Sequence, residues 1–307
     1  MSTAARMPVI FFGHGSPMNT LASNRYTEAW RKLGASVPKP KAILAISAHW
    51  FTRGTAVTAM AKPRTIHDFG GFPQALFDVE YPAPGDPTLA ARVRELLAPV
   101  EVQLDESWGL DHGTWSVLAH AFPDARIPVV QLSMDGTKPA QFHYDIGKHL
   151  APLREEGVLV VGSGNVVHNL MLMRRGEGAP AFDWAKRFND KVREALASGN
   201  HLALIDFERL GEDARLSVPT PEHYLPLLYI AALQAEKETM AFAVDGYEAG
   251  SLGMLTAAAG MPASQEAVSE LPKRPVNLGS MRGRGRGGTL PFPPGSPHLI
   301  MRSRSDR

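Results

Sequence analysis

Short apolar runs alternate with amphipathic helical stretches along most of this chain, and that alternation restricts the fold more than any other feature. Residues 9–12, 42–47, 127–132, 158–161 and 240–244 read as strands bounded by turn residues. Between them, "FDWAKRFNDKVREALASG" sets Ala185, Phe188, Val192 and Ala195 on one helical face, with Gly199 as a stop. Residues 26–33, 87–97, 114–121, 140–153 and 224–235 also read as helices. Strand and helix in turn predict a single α/β domain, its mostly parallel central sheet covered by helices on both faces.

With 307 residues, 44% of them hydrophobic, the chain can bury a large core. The pattern ends near Met261. Residues 262–307 hold 13 Pro and Gly and no apolar period, and are expected to be disordered; the folded domain is expected over residues 1–261. That segment carries 8 Lys and Arg against 3 Asp and Glu, a net +5, whereas the remainder carries −4. The mildly acidic body gives no electrostatic reason to bind nucleic acid. The "MRGRGRGG" stretch in the tail reads either as a weak RNA-binding element or as a read-through or frame-shifted terminus. No charged-then-apolar leader and no run of about 18 apolar residues occurs, so a soluble cytoplasmic protein without membrane contact is expected. Zero cysteines excludes disulfides, thiolate catalysis and sulfur-ligated metals.

Any metal must then sit on histidine and carboxylate, and 11 histidines are present. His14 in "FFGHGSPMN", His49 in "AISAHWF" and His168 in "VLVVGSGNVVHNL" each follow a predicted strand, the last across a Gly-Ser-Gly turn. Parallel strands share one carboxyl edge, where side chains distant in sequence converge. His112 in "WGLDHGTW" and His223 in "TPEHYLPLLY" open predicted helices that can face the same edge. Imidazole without thiolate favours zinc or non-haem iron. The glycines flanking His14 are read as room for metal and substrate. His67, His143 and His149 read as structural or surface groups, His120 as packed, and His201 and His298 carry no signal. Met171 and Met173 read as core, and Trp50 and Trp108 as packing or as the wall of an aromatic site.

Seven stretches in order, "FGHGSPMN", "SAHW", "HDFGGFP", "YPAPGDP", "LDHGTW", "GSGNVVHNL" and "PEHYLPLLY", resemble the LigB-type (class III) extradiol ring-cleavage dioxygenases, nearest the 4,5-DOPA dioxygenase extradiol subgroup. The resemblance covers residues 8 to 260 and implies an α/β domain with one metal at the carboxyl ends of the strands. It implies His14, His49 and His223 as metal ligands, with Glu222 as the alternative to His223. It implies His168 as catalytic base or fourth ligand, and His112 as an oxygen-handling histidine. The implied reaction cleaves a catechol, DOPA-like, with O2 to a semialdehyde. Ferrous iron would serve catalysis, and zinc would compete for the same site. The rival readings are a tetrapyrrole metal chelatase, which also begins with a strand and His-Gly-Ser, and a non-catalytic metal-binding protein on the same fold.

Overall fold

The structure, a computed structural model, describes residues 6–176 and 178–262. The expected disorder of 262–307 falls, beyond Pro262, outside the described residues, as does His298. The strands are β1 (Val9–Gly13), β2 (Ala42–Thr52), β3 (Thr55–Thr58), β4 (Val102–Asp105), β5 (Val129–Asp135), β6 (Val158–Gly164), β7 (Met240–Val244), β8 (Tyr247–Glu248), β9 (Leu252–Gly253) and β10 (Thr256–Ala259). One sheet runs in the order β4-β3-β5-β2-β6-β1-β10-β7, and β8 pairs separately with β9. The central strands β5, β2, β6 and β1 are mutually parallel. Antiparallel contacts attach β3 on one side and β10 and β7 on the other. The expected α/β domain with a mostly parallel sheet is what forms. Strands β3, β4 and β10 were not legible, because TAVT, VQLD and TAAA are four-residue segments too short to establish a period.

Alternation along the strands builds two cores. Val9, Phe11, Leu44, Ile46, Val130 and Val160 face one helical layer; Ile10, Phe12, Ile43, Ala45, Val129 and Val161 face the other. Each of these Val, Leu, Ile and Phe side chains contributes about 1.5–3 kcal/mol when fully buried. The helices are α1 (Arg25–Ser36), α2 (Gln74–Phe77), α3 (Pro87–Leu96), α4 (His112–Ala121), α5 (Ala140–His149), α6 (Ala151–Glu155), α7 (Asp183–Ser198), α8 (His201–Ile205), α9 (Glu212–Ser217) and α10 (Leu225–Leu233). The single helix expected over 140–153 breaks at Leu150, where Pro152 sits in the first turn of α6 and cannot serve as a helix interior. Among the described residues no helix is long and apolar enough to cross a membrane.

Other readings change. Met171 and Met173 are not core: they are 88% and 45% exposed, on and beside the short 3-10 turn Leu170–Leu172 outside the layers. A run of apolar residues that short has no periodic face with which to reach a core. Gly162, Ser163 and Gly164 are not a turn but the last residues of β6. A Cβ on Gly13 would stand 2.7 Å from the carbonyl oxygen of Leu255, and Gly15, at φ +60°, faces Glu248 and Met254. The glycines around His14 therefore make room for the chain of β9–β10 and for a carboxylate, rather than for metal and substrate.

Candidate active site

His14 follows the last residue of β1, its backbone N–H donating to the carbonyl of Gly164 at the end of β6 (3.0 Å). His49 lies inside β2, not after it, because that strand runs on to Thr52. The register of β2 against β5 shifts between Ile46 and Phe51, so His49 lies on a stretch of β2 that is out of step with its neighbour. His112 is the first residue of α4. Buried Asp111 caps that helix, its Oδ1 accepting from the N–H of Thr114 (3.1 Å) and from Oγ of Ser47 on β2 (2.7 Å). Burial raises the pKa of Asp111. His223 sits in the turn before α10, and its carbonyl accepts from the N–H of Asn165 just past β6 (2.8 Å). His168 pairs across a single bridge with Leu252.

All five histidines converge. Ligand atoms of His14, His49 and His112 lie within 4.8 Å of one another, as do those of His168, Glu222 and His223. The two trios adjoin, ring centroids of His14 and His49 standing 5.3 and 5.1 Å from that of His223. His168 stacks on His223 with centroids 3.4 Å apart, and His112 lies 3.8 Å from His49.

Partners on the far side of each ring set its tautomer. Ser163 Oγ donates its one hydrogen to the carbonyl of Gly113 (2.5 Å), so it must accept from Nδ1–H of His14 (3.0 Å). Nδ1 of His49 lies 3.2 Å from Oδ2 of Asp68, and Nδ1 of His223 lies 3.2 Å from Oε1 of Glu222. A carboxylate oxygen only accepts, so both nitrogens carry hydrogen. When neutral, all three rings thus turn an unprotonated Nε2 inward, the form in which imidazole binds metal. Nε2 of His14 and Nε2 of His49 stand 3.3 Å apart.

Burial holds the pKa of His14 and His223 well below the usual imidazole value, and the neighbouring histidines push the same way. His168 is lowered to about 4, by burial and then by His49. His112 is lowered by burial and by His49, against the pull of Asp68. His49 alone rises: burial would lower it, but the hydrogen bond and charge of Asp68, with Asp111 and Glu222 behind, outweigh burial. Asp68 in turn stays well below the carboxylate range, because His112 and His49 overcome its own burial.

Residues 12–253 match the family of the catalytic LigB subunit of aromatic ring-opening dioxygenase. The chain belongs to the LigB family. This LigB chain is 53% identical over 259 residues to the 4,5-DOPA dioxygenase extradiol of Escherichia coli (strain K12), covering 83% of this chain and 95% of that protein. The Beta vulgaris protein of the same name is 39% identical over 229 residues, covering 71% and 83%. A crystal structure of an uncharacterized Escherichia coli K12 protein superposes with a TM-score of 0.72 at 48% identity, covering 82% of this chain and 99% of that one. The LigB chain is accordingly an extradiol ring-cleavage dioxygenase enzyme.

The remaining histidines of this LigB chain are engaged elsewhere. His67 faces the carbonyl of Val79, His120 that of Asn19 and His143 the hydroxyl of Tyr229, each at 2.9 Å. His201 lies between Tyr144 and Gln234, and His149 is exposed. Trp50 and Trp108 stack on each other, centroids 5.4 Å apart; the groove that Trp50 lines includes none of the five site histidines. Sequence reasoning missed Ser163 and Asp68. Ser163 lay hidden in the supposed turn. Asp68 had a signal, one acid between aromatic residues in "HDFGGFP", which costs free energy to bury unless a cation or N–H donors meet it.

Proposed function

We propose that this enzyme holds one divalent metal ion on His14, His49 and His223 and opens the ring of a DOPA-like catechol with O2, beside rather than between its two hydroxyls, to give a semialdehyde. The observation that carries the reading is the 3.3 Å between Nε2 of His14 and Nε2 of His49. Two inward lone pairs at that distance repel unless a proton or a cation lies between them. Two nitrogens ~2.0–2.1 Å from one ion are separated by roughly 3.3–3.4 Å across a tetrahedral angle, so the donor set fits. His223 is favoured over Glu222 as third ligand, because Glu222 Oε1 is engaged by Nδ1 of His223 and by the hydroxyl of Thr220 (2.8 Å). The relatives named 4,5-DOPA dioxygenase extradiol support the substrate class.

Bound there, ferrous iron would supply the redox chemistry that dioxygen needs and an anchor for the catechol oxygens. The protein supplies the rest. His168, partly open to solvent and with no side-chain hydrogen bond among the described residues, is neutral at pH 7 with its pKa near 4. A ring nitrogen is therefore free to take a catechol proton as the substrate docks. His112, beside His14 and His49, handles oxygen on the same side, and Phe69 lies edge-on to it at 5.4 Å. One observation favours a second reading of His168: its stack on His223, with Glu222 within 4.8 Å, suits a fourth ligand.

The test exchanges the metal. Zinc has no redox state for dioxygen chemistry, so zinc-loaded protein should bind catechols and consume no oxygen, while anaerobic exchange to ferrous iron should restore oxygen uptake and yield a yellow semialdehyde. Rapid uptake by zinc-only protein, or none with any redox metal and any catechol, overturns the proposal.

A further inference from the structure

Asp68 touches two site histidines at once. Its Oδ1 accepts from the backbone N–H of His112 (2.9 Å). Its Oδ2 stands 3.2 Å from Nδ1 of His49 and 3.0 Å from Nδ1 of His112, neither in line for an ideal hydrogen bond but both too close for two facing lone pairs. The side chain is only 17% exposed. The segment carrying it is anchored to the same helix: Ile66 N–H donates to the carbonyl of Leu110 (2.7 Å), Leu110 N–H to that of Arg64 (2.9 Å), and the indole of Trp115 to that of Ile66 (2.8 Å). By contrast His14 relies on Ser163 and His223 on Glu222.

We infer that Asp68 is a positioning residue that fixes the ring tautomers of His49 and His112 together, turning both Nε2 lone pairs into the site. The inference rests on the proposed metal reading for its consequence, since a single carboxylate then governs one ligand and one oxygen-handling group. An amide cannot replace it. In Asp68→Asn, with the amide oxygen toward the backbone N–H, the NH2 confronts both rings, which then favour hydrogen on Nε2 and mask the ligand atom. With the amide reversed, its NH2 confronts the backbone N–H of His112.

The test has two arms. Long-range 1H–15N spectra of the metal-free chain, at about pH 9 and so above the imidazole range, should show hydrogen on Nδ1 of His49 and His112. In Asp68→Asn both should move toward Nε2–H while His14 stays as it was, a selectivity that a general loosening of structure does not produce. Zinc affinity, measured by competition with a chromogenic chelator, should fall by about 10–100-fold in Asp68→Asn, the usual effect of losing a carboxylate behind a ligating histidine. Hydrogen on Nε2 of His49 in the wild type, or zinc affinity in the variant within about twofold of wild type, overturns the inference. The wild-type spectrum alone decides it if Asp68→Asn does not fold. Should the wild-type chain bind no zinc yet show the stated tautomers, the metal reading fails and the role of Asp68 stands.

Discussion

At the acid end of the window from about pH 5.5 to 6.5, metal binding to this site should release close to one proton, and that proton should come from His49. Three ordinary imidazoles with pKa values of about 6.5 would release nearly three at the acid end of that window, since each must be neutral to ligate. Here His14 and His223 are held well below that value by burial, so both are already neutral. His49 is raised, because Asp68 outweighs burial, and its proton belongs where its Nε2 faces that of His14 at 3.3 Å. Metal must displace that proton. While His49 is protonated in the free protein, the apparent affinity should rise about tenfold per pH unit, or ~1.4 kcal/mol, and level off once pH passes its raised pKa. Calorimetric zinc titrations in two buffers of different ionisation enthalpy count the proton directly. Staying below about pH 6.5 keeps a metal-bound water, with its pKa near 7, from adding a second. Release of two or more protons would refute the neutral state of His14 and His223. Release of none would remove His49 as the shared-proton partner. In Asp68→Asn the release should fall, because the charge that raises His49 is gone.

His168→Gln should keep its metal and lose turnover if His168 is the base; metal loss in that variant, by elemental analysis, makes it a fourth ligand instead. His143, buried on α5 with its pKa lowered to about 4 by burial and its Nε2 unpartnered, should cost stability as pH falls. The unfolded chain takes up that proton near 6.5 and the folded chain not until about 4, so the loss runs from 6.5 downward and approaches about 3 kcal/mol. Urea unfolding of His143→Phe should show a slope with pH shallower by up to one proton in that window; an unchanged slope refutes the assignment. Ending the chain at Pro262, past the last residue of β10 at Ala259, should leave Tm and turnover nearly unchanged, and a truncated chain that fails to fold refutes the proposed domain boundary.

What the sequence determined alone was everything carried by local period and residue type. The buried parallel centre was legible because β1, β2 and β6 open with apolar residues on both faces, and the five histidines because they sit near the ends of strands or the starts of helices. Cysteine's absence narrowed the metal chemistry before any fold was known. Tertiary structure decided the rest, for a physical reason that recurs at each point. A four-residue segment such as TAAA becomes a strand only because β1 and β7 supply its hydrogen-bond partners. His49 lies where the register of β2 against β5 shifts, which no pattern within β2 records. The tautomers are set by Ser163, 149 residues from His14, and by Asp68, which along the chain is only one acid in an aromatic loop. Pairing partners for a lone pair lie across the fold and not along the chain. The sequence could therefore name the candidate ligands, and only the packed structure could say which nitrogen of each faces the other rings.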